Sequence, residues 1–270
     1  MRKLLKLGIS FLVYLILLIL SPVIFVMVTL IFLAPNNVVI YLLRLIVYII
    51  IYLIFKVGNK VKIIGKENLP KGTRILFLSN HETLIDSFLI ALGTLSVWDA
   101  IFHQNRMAYN VPEVKNFYYN GFVKIFFTAL KTVPISRSGI SHTKIEAQIN
   151  QFCSLLENDN LVIFFEGTRS RDGEIHECRV GPALTIIKAR PRYVVPILLD
   201  GIHSIMPIKY GAKINPHINM GHTGRMIIGK PLDMEKFYQE DYSWESAIKQ
   251  SAELRKFIQD SIANLKKPPQ

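Results

Sequence analysis

The sequence predicts an α/β fold: a single domain with a mixed, mainly parallel sheet flanked by helices, preceded by an N-terminal membrane helical hairpin. Three observations carry this reading. The first 57 residues hold two long apolar runs and no acidic residue. From residue 58 onward, short β-branched runs alternate with segments of helical period, the pattern of strands covered by helices. Three of the strand-like runs also end in polar loops, and open α/β sheets carry ligands in the loops beyond their strand C-termini.

The hairpin comes first. Residues 4–34, "LLKLGISFLVYLILLILSPVIFVMVTLIFLA", are broken only by Lys6, Ser21 and Pro22, and residues 38–57, "VVIYLLRLIVYIIIYLIFKV", by Arg44. A spanning helix needs about 20 apolar residues, so each run is long enough. The first is too long for the core of a signal peptide. The uncharged turn "PNN" joins them, and the outer flanks are basic, with Arg2, Lys3 and Lys6 before and Lys56, Lys60, Lys62 and Lys66 after. Basic flanks stay in the cytoplasm, and the rest of the chain follows the second one. Residues 1–57 are therefore expected to anchor the protein in a membrane, with residues 58–270 on its cytoplasmic face. Pro22 offers a kink, so both a spanning hairpin and one dipping into a single leaflet fit.

In the second part, "VKIIG" (61–65) and "RILFLS" (74–79) read as strands separated by the turn-like "ENLPKG". "TLIDSFLIALG" (83–93) reads as a helix closing on Gly93, and "VWDAIFH" (97–103) as a further strand. Residues 113 to about 130 look helical and aromatic-rich, and "TVPIS" (132–136) reads as a short strand. Ser141 caps a helix with Ile145, Ile149, Phe152 and Leu156 on one face. "LVIFFE" (161–166), "YVVPILLDG" (193–201) and "RMIIGKP" (225–231) supply three more strands. The tail from Ser243 to Lys267 carries Leu254, Phe257, Ile258, Ile262 and Leu265 at helical spacing. No internal repeat or low-complexity linker interrupts the series.

The net charge is +12, and five basic residues fall within the first 57. The remainder holds 27 basic against 20 acidic residues, an excess of +7. A basic domain beside a bilayer suits anionic headgroups and anionic substrates. With a membrane hairpin attached, a nucleic-acid partner is not expected. Cys153 and Cys178 stand alone, without metal-ligand spacing, as in a reducing compartment. "IHEC" sets His176, Glu177 and Cys178 together, but a loop cluster with no distant partner does not make a metal site.

The chemistry gathers at three strand ends. "NHETLID" (80–86) follows the run "RILFL" and sets His81 five positions before Asp86. An Asp on one ring nitrogen fixes the tautomer and leaves the other nitrogen to accept a proton. Within one continuous helix that spacing would turn the two apart, so the pair requires a loop. The same residues also read as helix flanks, with Asn80 and Asp86 capping and His81 filling space. "VPISRSG" (133–139) ends a strand in Arg137. "FFEGTRSRDG" (164–173) carries Glu166, Gly167, Thr168 and Arg169, where Gly lets a ligand approach the backbone and Arg offers a planar fork for phosphate. Each alone could be a solvated turn; together they describe a base beside an anion site.

These blocks, with "YVVPILL" in the same order and a late "MIIGKPLD", resemble the glycerolipid acyltransferases. The likeness is to the 1-acylglycerol-3-phosphate acyltransferase (PlsC-type) family and runs from about residue 60 to 235. It implies a membrane-bound enzyme moving a fatty acyl chain from acyl-CoA or acyl carrier protein to the sn-2 hydroxyl of lysophosphatidate, giving phosphatidate in phospholipid biosynthesis. It implies His81 as general base with Asp86 orienting it. It also implies a glycerol-phosphate site from Arg137, Glu166, Gly167, Thr168 and Arg169, and an acyl-donor side shaped by Val195, Pro196 and Ile197. No metal or other cofactor is expected beyond the acyl co-substrate. Phe165 stands where the family has Pro, and "NRMAYNVPE" (105–113) lacks the family's lysine, leaving Arg106 as candidate oxyanion donor. Without a Gly-x-Ser-x-Gly elbow, direct transfer is expected. The alternatives are glycerol-3-phosphate, another lysophospholipid or a lyso-aminolipid as acceptor, a lipid hydrolase, or an inactive lipid-binding member that remodels membrane.

Overall fold

The computed structural model describes residues 2–33, 37–113, 121–135, 142–170, 172–207, 217–238 and 242–267. Helix α1 (Arg2–Leu33) and helix α2 (Asn37–Tyr52) form the apolar pair, and a π-helical turn, Leu53–Gly58, leads out of α2. Two stretches, Ser10–Leu33 and Asn37–Gly58, are long and apolar enough to cross a membrane. They differ in burial: 11% of the first is covered by the rest of the chain and 33% of the second. The second helix is thus the one built into the domain.

Five strands follow: β1 (Lys60–Ile64), β2 (Ile75–Ser79), β3 (Leu161–Phe164), β4 (Tyr193–Asp200) and β5 (Thr223–Ile228). They form one sheet in the order β1-β5-β4-β2-β3. Only the β4–β5 pair is antiparallel, so the mixed, mainly parallel sheet expected from the sequence is what forms. Strands covered on both faces read as continuous apolar runs, and every residue of β2 is buried. Side chains alternate across the pleat: Ile75 and Phe77 join one core cluster, Leu76 and Leu78 the other.

The first cluster lies under helix α3 (Asp86–Thr94), helix α5 (Gly121–Ala129) and the hairpin, which contributes Leu43, Val47, Ile51, Ile54 and Phe55. The second lies under helix α6 (His142–Leu156), helix α7 (Val180–Ala189) and helix α8 (Trp244–Asn264). Helix α6 buries Ile149, Phe152 and Leu156, the face its period predicts. Helix α8 starts at a capping box between Ser243 and Ser246 and buries Leu254, Ile258 and Ile262, satisfying orphan N–H groups while seating an apolar stripe.

Three expectations change. "VWDAIFH" is helix α4 (Val97–Phe102), because Ser96 Oγ accepts the Asp99 N–H at 3.0 Å and starts a turn. Short apolar runs are ambiguous by period, and here the cap decides. Helix α3 begins at Asp86, not Thr83, for a reason that belongs to the site. "TVPIS" pairs only through isolated parallel bridges, Asn110↔Thr132 and Glu113↔Ile135, which with Tyr109↔Leu161 widen the sheet beyond β3. Ser141 lies outside the described residues.

At the end of β1, Gly65 turns with φ 82°, and a Cβ there would sit 2.1 Å from the Ile228 carbonyl oxygen of β5. A left-handed backbone alone costs an L residue about 1–2 kcal/mol, and the contact with backbone cannot relax cheaply. Gly65→Ala is expected to lower unfolding stability by at least about 2 kcal/mol, measured by denaturant titration in detergent. A loss under about 0.5 kcal/mol would show that the β1–β5 edge shifts freely.

Candidate active site

Strand β2 delivers the chain to Asn80 in the middle of the sheet's C-terminal edge. The Asn80 amide locks onto β4, its Nδ2 donating to the Leu199 carbonyl and its Oδ1 accepting the Leu199 N–H, both at 2.8 Å. This side chain mimics a strand partner after β2 has ended. The next residue, His81, is fastened by its backbone to a different loop. Its N–H donates to Glu166 Oε2 at 3.1 Å, and its carbonyl accepts the Ser170 N–H at 2.6 Å.

The His81 side chain meets Asp86 as the spacing predicted, with Nδ1 and Oδ2 2.8 Å apart. Asp86 is fully buried and accepts three further bonds: the N–H groups of Glu82 and Thr83 at 2.6 and 2.8 Å, and the Thr83 hydroxyl at 2.5 Å. These bonds explain the late start of α3. Thr83 spends both its donors on a carboxylate three residues ahead, so residues 80–85 wrap around Asp86 instead of coiling. An acceptor-only carboxylate accepts the hydrogen bond of Nδ1–H and so leaves the ring's basic lone pair on Nε2. The ring stacks on Phe164 at 3.9 Å between centroids and 12° between planes, which fixes its rotation.

Glu166 is buried and spans two loops, accepting the His176 N–H at 2.9 Å through Oε1 as well as His81 through Oε2. Burial holds its carboxyl above the ordinary carboxylate range, and the N–H groups of His176 and His81 pull it back. Gly167 follows with φ 68°, and a Cβ there would come within 3.2 Å of Arg179 Cγ. This turn sends Thr168 and Arg169 to the rim of a cavity of about 380 Å³ that His81 also lines.

That cavity runs down the first core face. Leu84, Ile85, Phe88 and Ala91 line it from the α3 side, Phe127 and Leu130 from α5 and its end, and Val47, Tyr48 and Ile51 from α2. It is a mainly apolar slot with the His81 imidazole, the Thr168 hydroxyl, the Arg44 and Arg169 guanidinium groups and the Glu113 carboxyl among its lining groups. Ligand pockets of this size and character hold a chain in the apolar part and fix orientation with a few polar groups.

Not every expected residue comes to the slot. Arg137 lies outside the described residues. Glu166 and Gly167 shape the loop and are not in the lining. Val195, Pro196 and Ile197 are buried within β4, Val195 and Ile197 in the first core cluster, and do not line the cavity. Arg106 turns away to pair with Asp99 at 2.6 Å. His176 holds Asp172 at 3.1 Å through its ring and Glu166 through its backbone, while Glu177 pairs with Arg255. Cys178 is buried, and burial pushes its thiol up to about 12, far from a thiolate nucleophile. Asn80, Glu82, Thr83, Phe164 and Ser170 were not read as framework. Of these, only Thr83 carried a signal, a hydroxyl three residues before an Asp at a helix start.

Residues 60–200 match the model of the family described as acyltransferase. Among solved structures, the chain is similar to the crystal structure of the 1-acyl-sn-glycerophosphate (LPA) acyltransferase PlsC from Thermotoga maritima. The TM-score is 0.59 at 19% sequence identity, covering 99% of this chain and 100% of that one. No curated protein matches the sequence.

Glu166→Ala would leave two buried N–H groups, of His81 and His176, without an acceptor, and stability is expected to fall by about 2–4 kcal/mol. Glu166→Gln keeps an acceptor oxygen and removes the charge. The sign follows from the raised carboxyl. The native protein keeps this contribution below the ordinary carboxylate range and loses it as pH rises through the folded value. The Gln variant should therefore compare better with the parent at pH 8 than at pH 5, read from paired melting curves. The reverse order would mean that the ionised form is the stabilising one.

Proposed function

The chain belongs to the acyltransferase family, and on that premise we propose that it moves a fatty acyl chain from an acyl thioester to the free sn-2 hydroxyl of lysophosphatidate, giving phosphatidate. The observation that carries this reading is the His81–Asp86 pair at an apolar slot whose lining includes Thr168 and Arg169. The slot suits a hydrocarbon chain, and a guanidinium suits the phosphate of the acceptor.

In this mechanism His81 Nε2 takes the proton of the acceptor hydroxyl as its oxygen attacks the thioester carbonyl carbon. The new C–O bond forms a tetrahedral oxyanion, which collapses by breaking the C–S bond. The departing thiolate takes the proton from the imidazolium, so no proton is left over and no acyl-enzyme is required. Asp86 keeps Nδ1 protonated and stabilises the transient imidazolium, and the stack on Phe164 holds the ring in line. General-base assistance of this kind is worth about 10²–10⁴-fold. Acyl-CoA and acyl carrier protein both present the required thioester.

The apolar pair α1–α2 supports association with a bilayer, and its basic flanks support a cytoplasmic globular part. In this arrangement residues 1–57 anchor and residues 58–270 catalyse. The acceptor then enters from the lipid side while the soluble donor arrives from water. The positive charge of the globular part favours both anionic partners.

His81→Ala is expected to lower turnover at least about 10²-fold without loss of membrane partitioning. Its stability should fall by about 1–3 kcal/mol, because buried Asp86 loses one of its donors. Product mass from purified protein, acyl-CoA and lysophosphatidate is the readout, and a folded variant keeping more than a tenth of parental turnover would end the base assignment. Arg169→Ala should raise the apparent KM for lysophosphatidate about tenfold or more and change it little for a lysophospholipid whose phosphate is a diester. Equal effects on both acceptors would mean that Arg169 only holds the loop, and a parental preference for the diester would replace lysophosphatidate as substrate.

A further inference from the structure

Beside Asp86 stands a second carboxyl group that the mechanism does not use. Glu82 directly follows His81 and is 2% exposed. Its backbone N–H is one of the donors to Asp86 Oδ2, at 2.6 Å. Its carboxyl group reaches the other way, to the short turn Ile202–Ser204 after β4, where Oε2 accepts the His203 N–H at 2.8 Å. The His203 ring adds Nδ1 at 3.4 Å from the same oxygen, and that ring is half exposed. Two carboxyl groups in this one loop, those of Glu82 and Asp86, are thus out of water.

We propose that Glu82 is a positioning residue that sets the base strength of His81, its buried carboxylate adding a second negative charge beside the His81–Asp86 pair. The proposal rests on His81 being the base. When His81 takes the acceptor proton the ring becomes cationic, and a nearby buried anion stabilises that state more than it would in water. A stronger base removes the hydroxyl proton earlier along the reaction. The residue after His81 would then tune the chemistry without touching substrate.

The charged and titratable groups facing the Glu82 carboxyl are Asp86 at the start of α3 and His203 in the 202–204 turn. Its charge therefore reaches His81 through the field at Asp86, the ring's own partner. Glu166, a further buried carboxyl of the site, accepts the His81 backbone N–H and also acts on Asp86. Burial pushes the Glu82 carboxyl up to about 7. The His203 N–H opposes that rise, the Asp86 charge adds to it, and the His203 ring opposes it. The second charge therefore appears as pH climbs through neutrality. Below that range His81 works against Asp86 alone, and above it against both.

Glu82→Gln keeps the shape and an oxygen for the His203 N–H while removing the charge. The test is kcat/KM against pH for parent and variant, with acyl-CoA and lysophosphatidate on mixed micelles. The acid limb, where activity rises as the base deprotonates, should move about 0.5–1 pH unit lower in the variant, and the plateau should fall several-fold. A uniform drop with the limb unmoved would reduce Glu82 to a structural tie and overturn the proposal. Should Glu82→Gln fail to fold, His203→Gln leaves the backbone N–H in place and removes only the ring. Glu82 then ionises less readily, and the limb should shift in the same direction by a smaller amount; an unmoved limb there overturns it equally. The control is His81→Ala. If that variant stays active the base assignment itself falls, whereas an inactive His81→Ala beside an unmoved Glu82→Gln limb removes only the role of Glu82.

Discussion

The convergence of donors on one buried carboxylate is the constraint around which the catalytic end of this molecule is arranged. Asp86 sits out of water and is bonded by two backbone N–H groups, a threonine hydroxyl and the His81 ring. A buried charge is tolerable only when hydrogen bonds replace its hydration. Meeting that demand fixes the path of residues 81–83 and delays the first turn of α3. It also orients the imidazole, because the ring is one of the required donors. Order and chemistry at this site therefore share one cause. The helix N-terminus adds its own favourable field to the same carboxylate.

Much of this was legible in the chain, and the gaps have physical reasons. The strands after residue 58 announce themselves by β-branched runs between turns, and the amphipathic helices by their period. His81 and Asp86 could be joined on spacing because only a loop brings them together, and a loop is what "NHET" makes. Helix α4 was misread because "VWDAIFH" is too short for its period to be distinctive, and its cap, Ser96, precedes the run. Asn80 and Glu82 escaped for another reason. Their partners, Leu199 and His203, are more than a hundred residues away, and no local pattern encodes such a pairing. Val195, Pro196 and Ile197 show the opposite limit: a familiar block of sequence marks a strand whose side chains are spent on packing.

The hairpin looks separate by composition yet is joined by packing. Leu43, Val47 and Ile51 of α2 belong to the same core cluster as Phe77 and Val195 of the sheet, and α2 supplies one wall of the slot. Arg44, in the middle of this apolar helix, donates through Nε to the Ala129 carbonyl at 2.7 Å. That carbonyl is at the C-terminal end of α5, where a cation is favourable. The slot thus lies between the apolar hairpin and the part of the chain that carries the dyad. A change of register between α2 and α5 would alter its depth, and the Arg44–Ala129 bond resists such a change.

The long-range ties of residues 80–82 also impose an order on the making of the molecule. The apolar helices leave the ribosome before His81, and Asn80 has no partner until Leu199 arrives 119 residues later. At about 5–20 residues per second that interval is on the order of ten seconds. During it the apolar helices are already made while the imidazole has no framework to hold it. A nascent or truncated chain is then a greasy peptide without a reactive centre, exposed to proteases and chaperones but unable to process lipid. The arrival of Leu199 in β4 is the earliest point at which that framework can close, with β5 and α8 still to be added to the sheet and its second core.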